Sequence, residues 1–398
     1  KKELDFLFLD DKPEFSWHSE LMFDDAEMQT SFLKDLVTPV DPTSPYTFLN
    51  YLNQKGQFYH FLNTDRKTIT RMEFEDYCKW AVENLSDYLK FNSKVLSVKF
   101  KDDLFAIETK DETYFCKDLC VASGPQANIP ECATPFLGGQ VFHAKSKELQ
   151  KLDLRDKRLT IIGGGQTGIE IFRNAMKSHF GKARSIELIS GRDNLRPLDE
   201  GPFTNEIFTP EFVENFYELD QATKDDFSEK LLLASDGNTP GYLRELYNEM
   251  YLEKFYNKNF PDAKISPSRW LESIEKTDHN LRLTIKNKLA NKNESIDCDI
   301  VILATGFKRN LPPYLESLSE YLEFAEDNRA IISKDYKLKT KLNNNTVYTM
   351  NYSAHRHGIA DPQTSLMSWR SAVIVNSLLK KSHYKVHQPQ IPFLNFFS

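Results

Sequence analysis

The sequence predicts an α/β fold built on parallel sheets, and three observations carry that prediction. Short apolar runs of strand length alternate with segments of helical periodicity along the 398 residues. One run, Arg158-Leu-Thr-Ile-Ile162, passes straight into Gly163-Gly-Gly-Gln-Thr-Gly168 and then into an amphipathic segment, Ile169 to Phe180. Two further runs, Val121-Ala-Ser-Gly124 and Leu303-Ala-Thr-Gly306, end alike although they stand far apart in the chain.

From the start of the chain, residues 4–9 (Leu-Asp-Phe-Leu-Phe-Leu) are closed by Asp10-Asp11-Lys12-Pro13, which predicts a buried strand ending in a turn. Thr43-Ser44-Pro45 predicts a helix start, with Ser44 as N-cap and Pro45 in the first position. A second helix opens at Thr70, where Glu73 completes a capping box and Phe74, Tyr77, Cys78 and Ala81 follow at helical spacing. Val95–Val98, Leu104–Ile107 and Tyr114–Cys116 read as a meander of strands, followed by a strand from Leu119 towards Gly124-Pro125. Residues 126–157 read as a linker with Pro130 and Pro135. Ser185–Ile189 is the next strand, and 205–260 is mostly helical, rich in charge and aromatics. Asp299–Gly306 is a further buried strand, and the last helix covers Ser365 to Leu379.

Composition narrows the function classes. Hydrophobic residues make up 40%, charged residues 27% and aromatics 13%, the mixture of an ordinary globular chain. A net charge of −7 and a pI of 5.8 give no basic footprint for nucleic acid or an anionic membrane. No apolar run reaches the ~18 residues that a membrane span needs. The five cysteines include no CxxC, so they read as buried thiols in a reducing cytoplasm rather than as the centre of a disulfide reductase. The first residues lack the pattern of a signal peptide and begin without Met, so the chain is expected to start in mid-protein. Only 15 of the 398 residues are glycine, and none precedes Gly56.

The chemistry-bearing motif is Gly163-x-Gly165-x-x-Gly168. A strand before it and a helix after it give the context in which backbone N–H groups hold a pyrophosphate. The plain alternative is a tight strand-to-helix turn without a ligand. An NAD site would show an acid at the end of the next strand, but this chain has Ser190-Gly191-Arg192. Arg192 suits a 2′-phosphate, which favours NADPH over NADH; as a bland alternative it is a solvated charge. The paired strand ends at Gly124 and Gly306 are typical of flavoproteins that hold two dinucleotides. His355 and His357 lack neighbouring carboxylates at ligand spacing, so no metal site is expected, and His18 alone reads as a packed or capping histidine.

Several segments together then resemble the N-hydroxylating monooxygenases of bacteria and fungi that make siderophore hydroxamates. They are Phe15-Ser-Trp-His18, Met28 to Leu36, Asp41 to Leu52, Phe74-Glu-Asp-Tyr77, the Gly163–Gly168 loop, Pro202 to Phe208, Ala304-Thr-Gly-Phe307 and His357 to Leu366. The resemblance spans essentially the whole chain. It implies two Rossmann-like dinucleotide-binding domains, for FAD and NADPH, with a helical substrate region. FAD contacts would fall to Asp10, Lys12, Trp17, His18, Met28, Gln29, Asp361 and Leu366. NADPH contacts would fall to Gly163, Gly165, Gln166, Thr167, Gly168, Arg192 and Asn205. Gln29, Lys34, Ser235 and Asp236 would meet the substrate, with Lys34 on an amino-acid carboxylate.

The expected division is 1–140 for the first part of the FAD domain, 141–225 for NADPH, 226–297 for the helical substrate region and the rest of the NADPH domain, and 298–398 for the second part of the FAD domain. The family's first strand and Gly-rich FAD loop have no counterpart here, so a unit of about 30 residues is expected to be missing from the start. Ornithine hydroxylases of this type resemble one another in an Asn-Tyr pair where this chain reads Ala234-Ser-Asp-Gly237. That difference leans towards lysine or a diamine, with lysine, putrescine, cadaverine and histamine all open.

The implied reaction needs a neutral primary amine, NADPH, FAD and O₂, and no acid–base triad or metal. The resemblance also implies a cytoplasmic dimer or tetramer. The competing readings are a sulfur-oxidising or Baeyer–Villiger monooxygenase and a non-catalytic NADP-binding protein.

Overall fold

The computed structural model describes residues 4–257, 261–387 and 393–397. The first part of the chain forms β1 (Phe8–Leu9), α1 (Phe48–Gln54), α2 (Phe58–Leu62), α3 (Arg71–Glu83), β2 (Leu89–Lys90), β3 (Ser97–Lys101), β4 (Leu104–Glu108), β5 (Thr113–Cys116), β6 (Leu119–Val121) and β7 (Gln126–Ala127). The middle forms β8 (Val141–His143), β9 (Arg158–Ile162), α4 (Gln166–Met176), β10 (Ser185–Ile189), α5 (Pro210–Glu218), α6 (Gln221–Lys230), α7 (Leu233–Asp236) and α8 (Pro240–Phe255). Then come β11 (Asp262–Ser266), β12 (Arg269–Lys276), β13 (Leu281–Asn287), β14 (Lys292–Cys298), β15 (Ile300–Leu303), β16 (Phe307–Lys308), β17 (Val347–Thr349), α9 (Ala354–His357) and α10 (Met367–Leu379).

A five-stranded parallel sheet in the order β11-β10-β9-β15-β8 positions the glycine-rich turn. Its strands are apolar at successive positions because both faces are covered. Leu159 and Ile161 of β9 join Ile300 and Ile302 of β15 in a core with Ile169, Phe172 and Leu246 of the helices. Ile162, Val301 and Leu303 point to the other face, where β13 supplies Leu281, Leu283 and Ile285. β13 belongs to the antiparallel meander β12-β13-β14, so its alternation of apolar and polar residues is that of a sheet with one face in the core.

The capping box of α3 forms as the sequence predicts, with the Thr70 side chain accepting from Glu73 N–H and Glu73 accepting from Thr70 N–H. Phe74, Tyr77, Cys78 and Ala81 are buried against α1 and Phe61. The other N-terminal helix starts later than expected. Ser44 Oγ accepts from Tyr46 N–H within a turn, whereas Thr47 caps α1 by accepting from Asn50 N–H at 3.2 Å. The buried Asp35 carboxylate takes Phe48 N–H at 2.7 Å, a cap from outside the local sequence.

Residues 4–9 also depart from expectation. Only Phe8–Leu9 form a strand, and Phe6, Leu7 and Phe8 are 45%, 40% and 57% exposed. Among the described residues β1 pairs with β2 alone. The 126–157 segment is more than a linker, since it carries β7 and the buried edge strand β8. Residues 262–298 are β-structure throughout most of their length, with β11 extending the parallel sheet. The thiols differ in environment: Cys78 and Cys298 are buried, Cys116 and Cys132 are half-buried, and Cys120 is exposed.

The two similar strand ends meet across the junction between sheets. β7 and β16 pair directly after them, and Asn128 N–H donates to Gly306 O at 2.9 Å. Asn128 Nδ2 donates to Thr305 O at 3.1 Å, and Thr305 Oγ1 returns a bond to Asn128 O at 2.5 Å. His143 sits beneath this crossing, accepting Lys145 N–H on Nδ1 and donating from Nε2 to Gly306 O. The resemblance noticed in the sequence thus marks one structural crossing.

Candidate active site

The turn between β9 and α4 is packed on one side and open on the other. A Cβ on Gly163 would lie 2.1 Å from Ala304 O, and one on Gly168 would lie 1.9 Å from Gly163 O. A Cβ on Gly165 would meet nothing within 4 Å. Gly165 is also the N-cap of α4 and offers no side-chain cap, so the first-turn N–H groups face that open side. An anion such as a pyrophosphate fits this cradle without displacing protein.

Arg192 lies just beyond β10, and its Nη1 donates to Asp236 O at 2.8 Å. Asn205 stands exposed on the short turn Thr204–Phe208. Thr167 follows Gln166 in the first turn of α4. Gln166 itself turns inwards, accepting Thr239 N–H at 2.9 Å and donating to Glu170 at 2.9 Å. Thr239 Oγ1 in turn accepts from Gln29 Nε2 at 3.1 Å, and Glu170 is gripped by Arg71. This chain of contacts joins the Met28–Gln29 segment, the start of α4 and the start of α3. Thr239, Glu170 and Arg71 escaped the sequence analysis. Glu170 left a signal, an acid flanked in sequence by Ile169 and Ile171 that shares its helix face with Gln166, Arg173 and Asn174.

The other expected cofactor residues group around the N-terminal segment. Asp10, at the end of β1, accepts Lys12 N–H at 2.9 Å, and Lys12 Nζ donates to Ser16 O at 2.8 Å. Trp17 packs edge-on against both His18 and Phe74, while its N–H donates to Glu75. His18 adopts a left-handed conformation with φ 50°. Burial by surrounding protein and then the charges of Arg71, Lys145 and Lys12 push it down to about 4. Part of the residue still reaches solvent, and a neutral imidazole is the state that this cationic setting favours.

Lys34 lines a shallow depression with Met28, Thr30, Phe32, Asp35, Phe74 and Thr364. Burial lowers its pKa from the usual lysine range, and no carboxylate pairs with it among the described residues. Ser235 and Asp236 do not line this depression. They lie on α7, where Ser235 Oγ bonds Leu232 O and Asp236 O holds Arg192.

The His357–Leu366 strip closes the region from the C-terminal side. His357 stacks on Tyr336 at 4.2 Å, bonds Ser353 Oγ through Nδ1 and Lys334 O through Nε2, and is 1% exposed. Asp361 is 1% exposed; one carboxylate oxygen accepts Ser353 N–H, and burial raises its pKa. Leu366 is buried and precedes α10, whose Met367, like Trp17 and Met28, packs against the core built on α1 and α3. Thr349 Oγ1, Asn351 Oδ1, Asp361 Oδ1 and Arg370 Nε are buried without a hydrogen-bond partner among the described residues. So many unmet polar atoms around one strip fit a polar ligand such as a flavin. Among the described residues no helix is long and apolar enough to cross a membrane.

Comparison with known proteins decides the family. The profile of the L-lysine 6-monooxygenase/L-ornithine 5-monooxygenase family matches residues 1–309. The chain is 36% identical over 391 residues to the L-lysine N6-monooxygenase of Escherichia coli, covering 98% of this chain and 92% of that protein. The chain belongs to this family.

Two other known proteins are similar at lower identity. The putrescine N-hydroxylase of Acinetobacter baumannii is 26% identical, over 97% of this chain and 86% of its own. The FAD-bound cadaverine monooxygenase of the desferrioxamine pathway of Erwinia amylovora superposes with a TM-score of 0.90 at 25% identity, over 100% of this chain and 93% of its own. Family membership sets aside the sulfur-oxidising and Baeyer–Villiger alternatives.

Proposed function

We propose that this chain hydroxylates the terminal primary amine of a small amine, L-lysine foremost, in hydroxamate siderophore biosynthesis. The carrying observation is Lys34, a half-buried ammonium without a carboxylate partner among the described residues, in a depression walled by Met28, Phe32 and Phe74. A cation there fits the carboxylate of an amino acid, which a diamine does not have. The lysine-acting relative shares 36% identity, against 26% for the putrescine-acting one, and this supports the same choice.

NADPH is proposed at the Gly163–Gly168 cradle with Arg192 and Asn205 on its adenosine side. FAD is proposed between Asp10, Trp17, His18, Met28, Gln29 and the Asp361–Leu366 strip. In this arrangement 1–140 and 298–398 serve the flavin, apart from β15, which lies in the parallel sheet of the glycine turn, and 141–225 with part of 226–297 serves NADPH. Bound flavin, reduced by NADPH, supplies the redox chemistry that lets O₂ give up one oxygen atom. The balance is an amine N–H converted to N–OH, with the second oxygen leaving as water and two electrons drawn from NADPH.

The chain's own task is to present the amine neutral and aligned. A free alkyl ammonium titrates near ~10.4, and apolar walls that remove its water lower that value. Lys34 anchors the carboxylate end, and its positive charge keeps the substrate's amino end away from that wall. The closing strip limits water around the reacting atoms. A cytoplasmic dimer or tetramer belongs to the same proposal, and light scattering tests the oligomer.

The deciding experiment supplies FAD, NADPH and O₂ and measures hydroxylamine formed from lysine, ornithine, putrescine, cadaverine and histamine. Lysine is expected to give the highest kcat/KM. A diamine ahead of lysine overturns the substrate assignment. A flavin-loaded protein that yields no hydroxylamine from any of them overturns the enzyme reading.

A further inference from the structure

The nucleotide edge of the parallel sheet carries a second cation and an aromatic ring beyond Arg192. β10 and β11 end side by side there, with Ile189 in register with Ser266. Ser268 N–H donates to Arg192 O at 2.8 Å, and Lys288 N–H donates to Ser268 O at 2.9 Å. These bonds set Arg192, Ser268 and Lys288 on three adjoining segments, two strand spacings or about 10 Å across. Two long cationic side chains rooted that far apart can converge on one phosphate.

Trp270 explains why Gly191 stands beside Arg192. A Cβ on Gly191 would lie 2.7 Å from Trp270 Cε2 and Cζ2, so only glycine lets the indole pack there. Half of Trp270 remains exposed, at 50%. The Lys288 ammonium lies 4.5 Å from the centre of its ring. The neighbouring acid, Glu294, is committed elsewhere. Arg269 holds it at 2.7 and 3.3 Å and Asn287 at 2.7 Å, and the Arg269 bond in first place pulls it down to about 2. No carboxylate among the described residues pairs with Arg192 or Lys288. An incoming phosphate therefore displaces no existing ion pair.

We propose that Lys288 and Trp270 complete, with Arg192, a site for the 2′-phosphorylated adenosine of NADPH. Lys288 is the second cation on the 2′-phosphate, and Trp270 is the platform for the purine. Neither residue belongs to the glycine-rich motif or its following strand, and together they set the preference for NADPH over NADH. The inference rests on the NADPH reading above and deepens it.

The test is calorimetric titration of the purified chain with adenosine 2′,5′-bisphosphate and with 5′-AMP, with thermal unfolding as the check on folding. Wild type is expected to prefer the bisphosphate. Lys288→Ala should weaken the bisphosphate about 10- to 100-fold, the loss of one charge-assisted contact, and leave 5′-AMP within about twofold. Lys288→Arg should restore the preference. Trp270→Leu should weaken both ligands alike, and Trp270→Phe should retain most of the affinity. A Lys288→Ala variant that discriminates as wild type does, while Arg192→Ala loses discrimination, overturns this inference alone. Wild type without preference for the bisphosphate overturns the NADPH reading itself.

Discussion

Arg71 on α3 grips Glu170 on α4 through two hydrogen bonds of 2.9 and 2.8 Å, with the Glu170 side chain only 2% exposed. Arg71 also donates to Leu21 O at 3.0 Å, and Glu170 takes the Gln166 amide, so one ion pair fixes the start of α4 against the start of α3. Breaking it from one side strands a buried carboxylate. Arg71→Ala should therefore cost about 3–5 kcal/mol, seen as a lower urea midpoint. Arg71→Met combined with Glu170→Met should recover much of that loss, because desolvating the pair offsets most of its attraction. A single variant that unfolds with wild type would show that the pair contributes nothing.

Gly165 and Gly168 should separate binding from folding. Alanine at Gly168 drives a methyl against Gly163 O, a backbone atom that cannot step aside, and should cost about 1–3 kcal/mol. Alanine at Gly165 meets no protein atom and keeps an ordinary φ of −85°, so stability should change by no more than about 0.5 kcal/mol. The same methyl projects into the cradle, and NADP⁺ affinity measured by calorimetry should fall more than about tenfold, the equivalent of ~1.4 kcal/mol. Unchanged NADP⁺ binding in Gly165→Ala would place the pyrophosphate elsewhere.

Local signals in the sequence carried the elements whose determinants are themselves local. Thr70 and Glu73 sit three residues apart and cap α3 by themselves, and β9, the glycine turn and α4 are contiguous. Determinants supplied from a distance were not legible. Thr47 rather than Ser44 begins α1 because Asp35 reaches Phe48 N–H from another segment. Three-residue β8 is too short for any periodicity, and it is a strand because β15 pairs with it. The alternation in β13 is present in the sequence, yet only the fold shows that it covers the parallel sheet. At the site, Met28, Thr30, Ser31, Phe32 and Lys34 line one depression as their closeness in sequence allows, whereas Ser235 bonds Leu232 O and the Asp236 carbonyl holds Arg192.

Lys34 is expected to distinguish amino acids from diamines. Its ammonium pairs with no carboxylate among the described residues, so Lys34→Ala should raise KM for lysine about 10- to 100-fold, the worth of a charge-assisted bond. For cadaverine, which is lysine without the carboxylate, KM should stay unchanged or fall as a repelling charge is removed. Steady-state kinetics on the two substrates read this directly. Equal increases for both would assign Lys34 to the architecture of the pocket rather than to the carboxylate.

His357 should make the fold acid-sensitive in a defined window. Burial, ahead of the nearby charges, pushes it down to about 3, and its two ring nitrogens are already satisfied in the neutral form by Ser353 Oγ and Lys334 O. Unfolded, the ring titrates near ~6.5. Between those values the unfolded chain binds the extra proton, so stability is complete above about 6.5 and declines as pH falls towards the folded value. At pH 5 the loss from this residue amounts to about 2 kcal/mol relative to neutral pH. Urea unfolding of wild type and His357→Gln at pH 7 and at pH 5 isolates the contribution from that of the other histidines. Glutamine supplies an uncharged donor and acceptor in place of the ring, so its stability should fall by about 2 kcal/mol less over that interval. Parallel losses in the two proteins would mean that His357 keeps the same affinity for a proton in the folded chain as in the unfolded one.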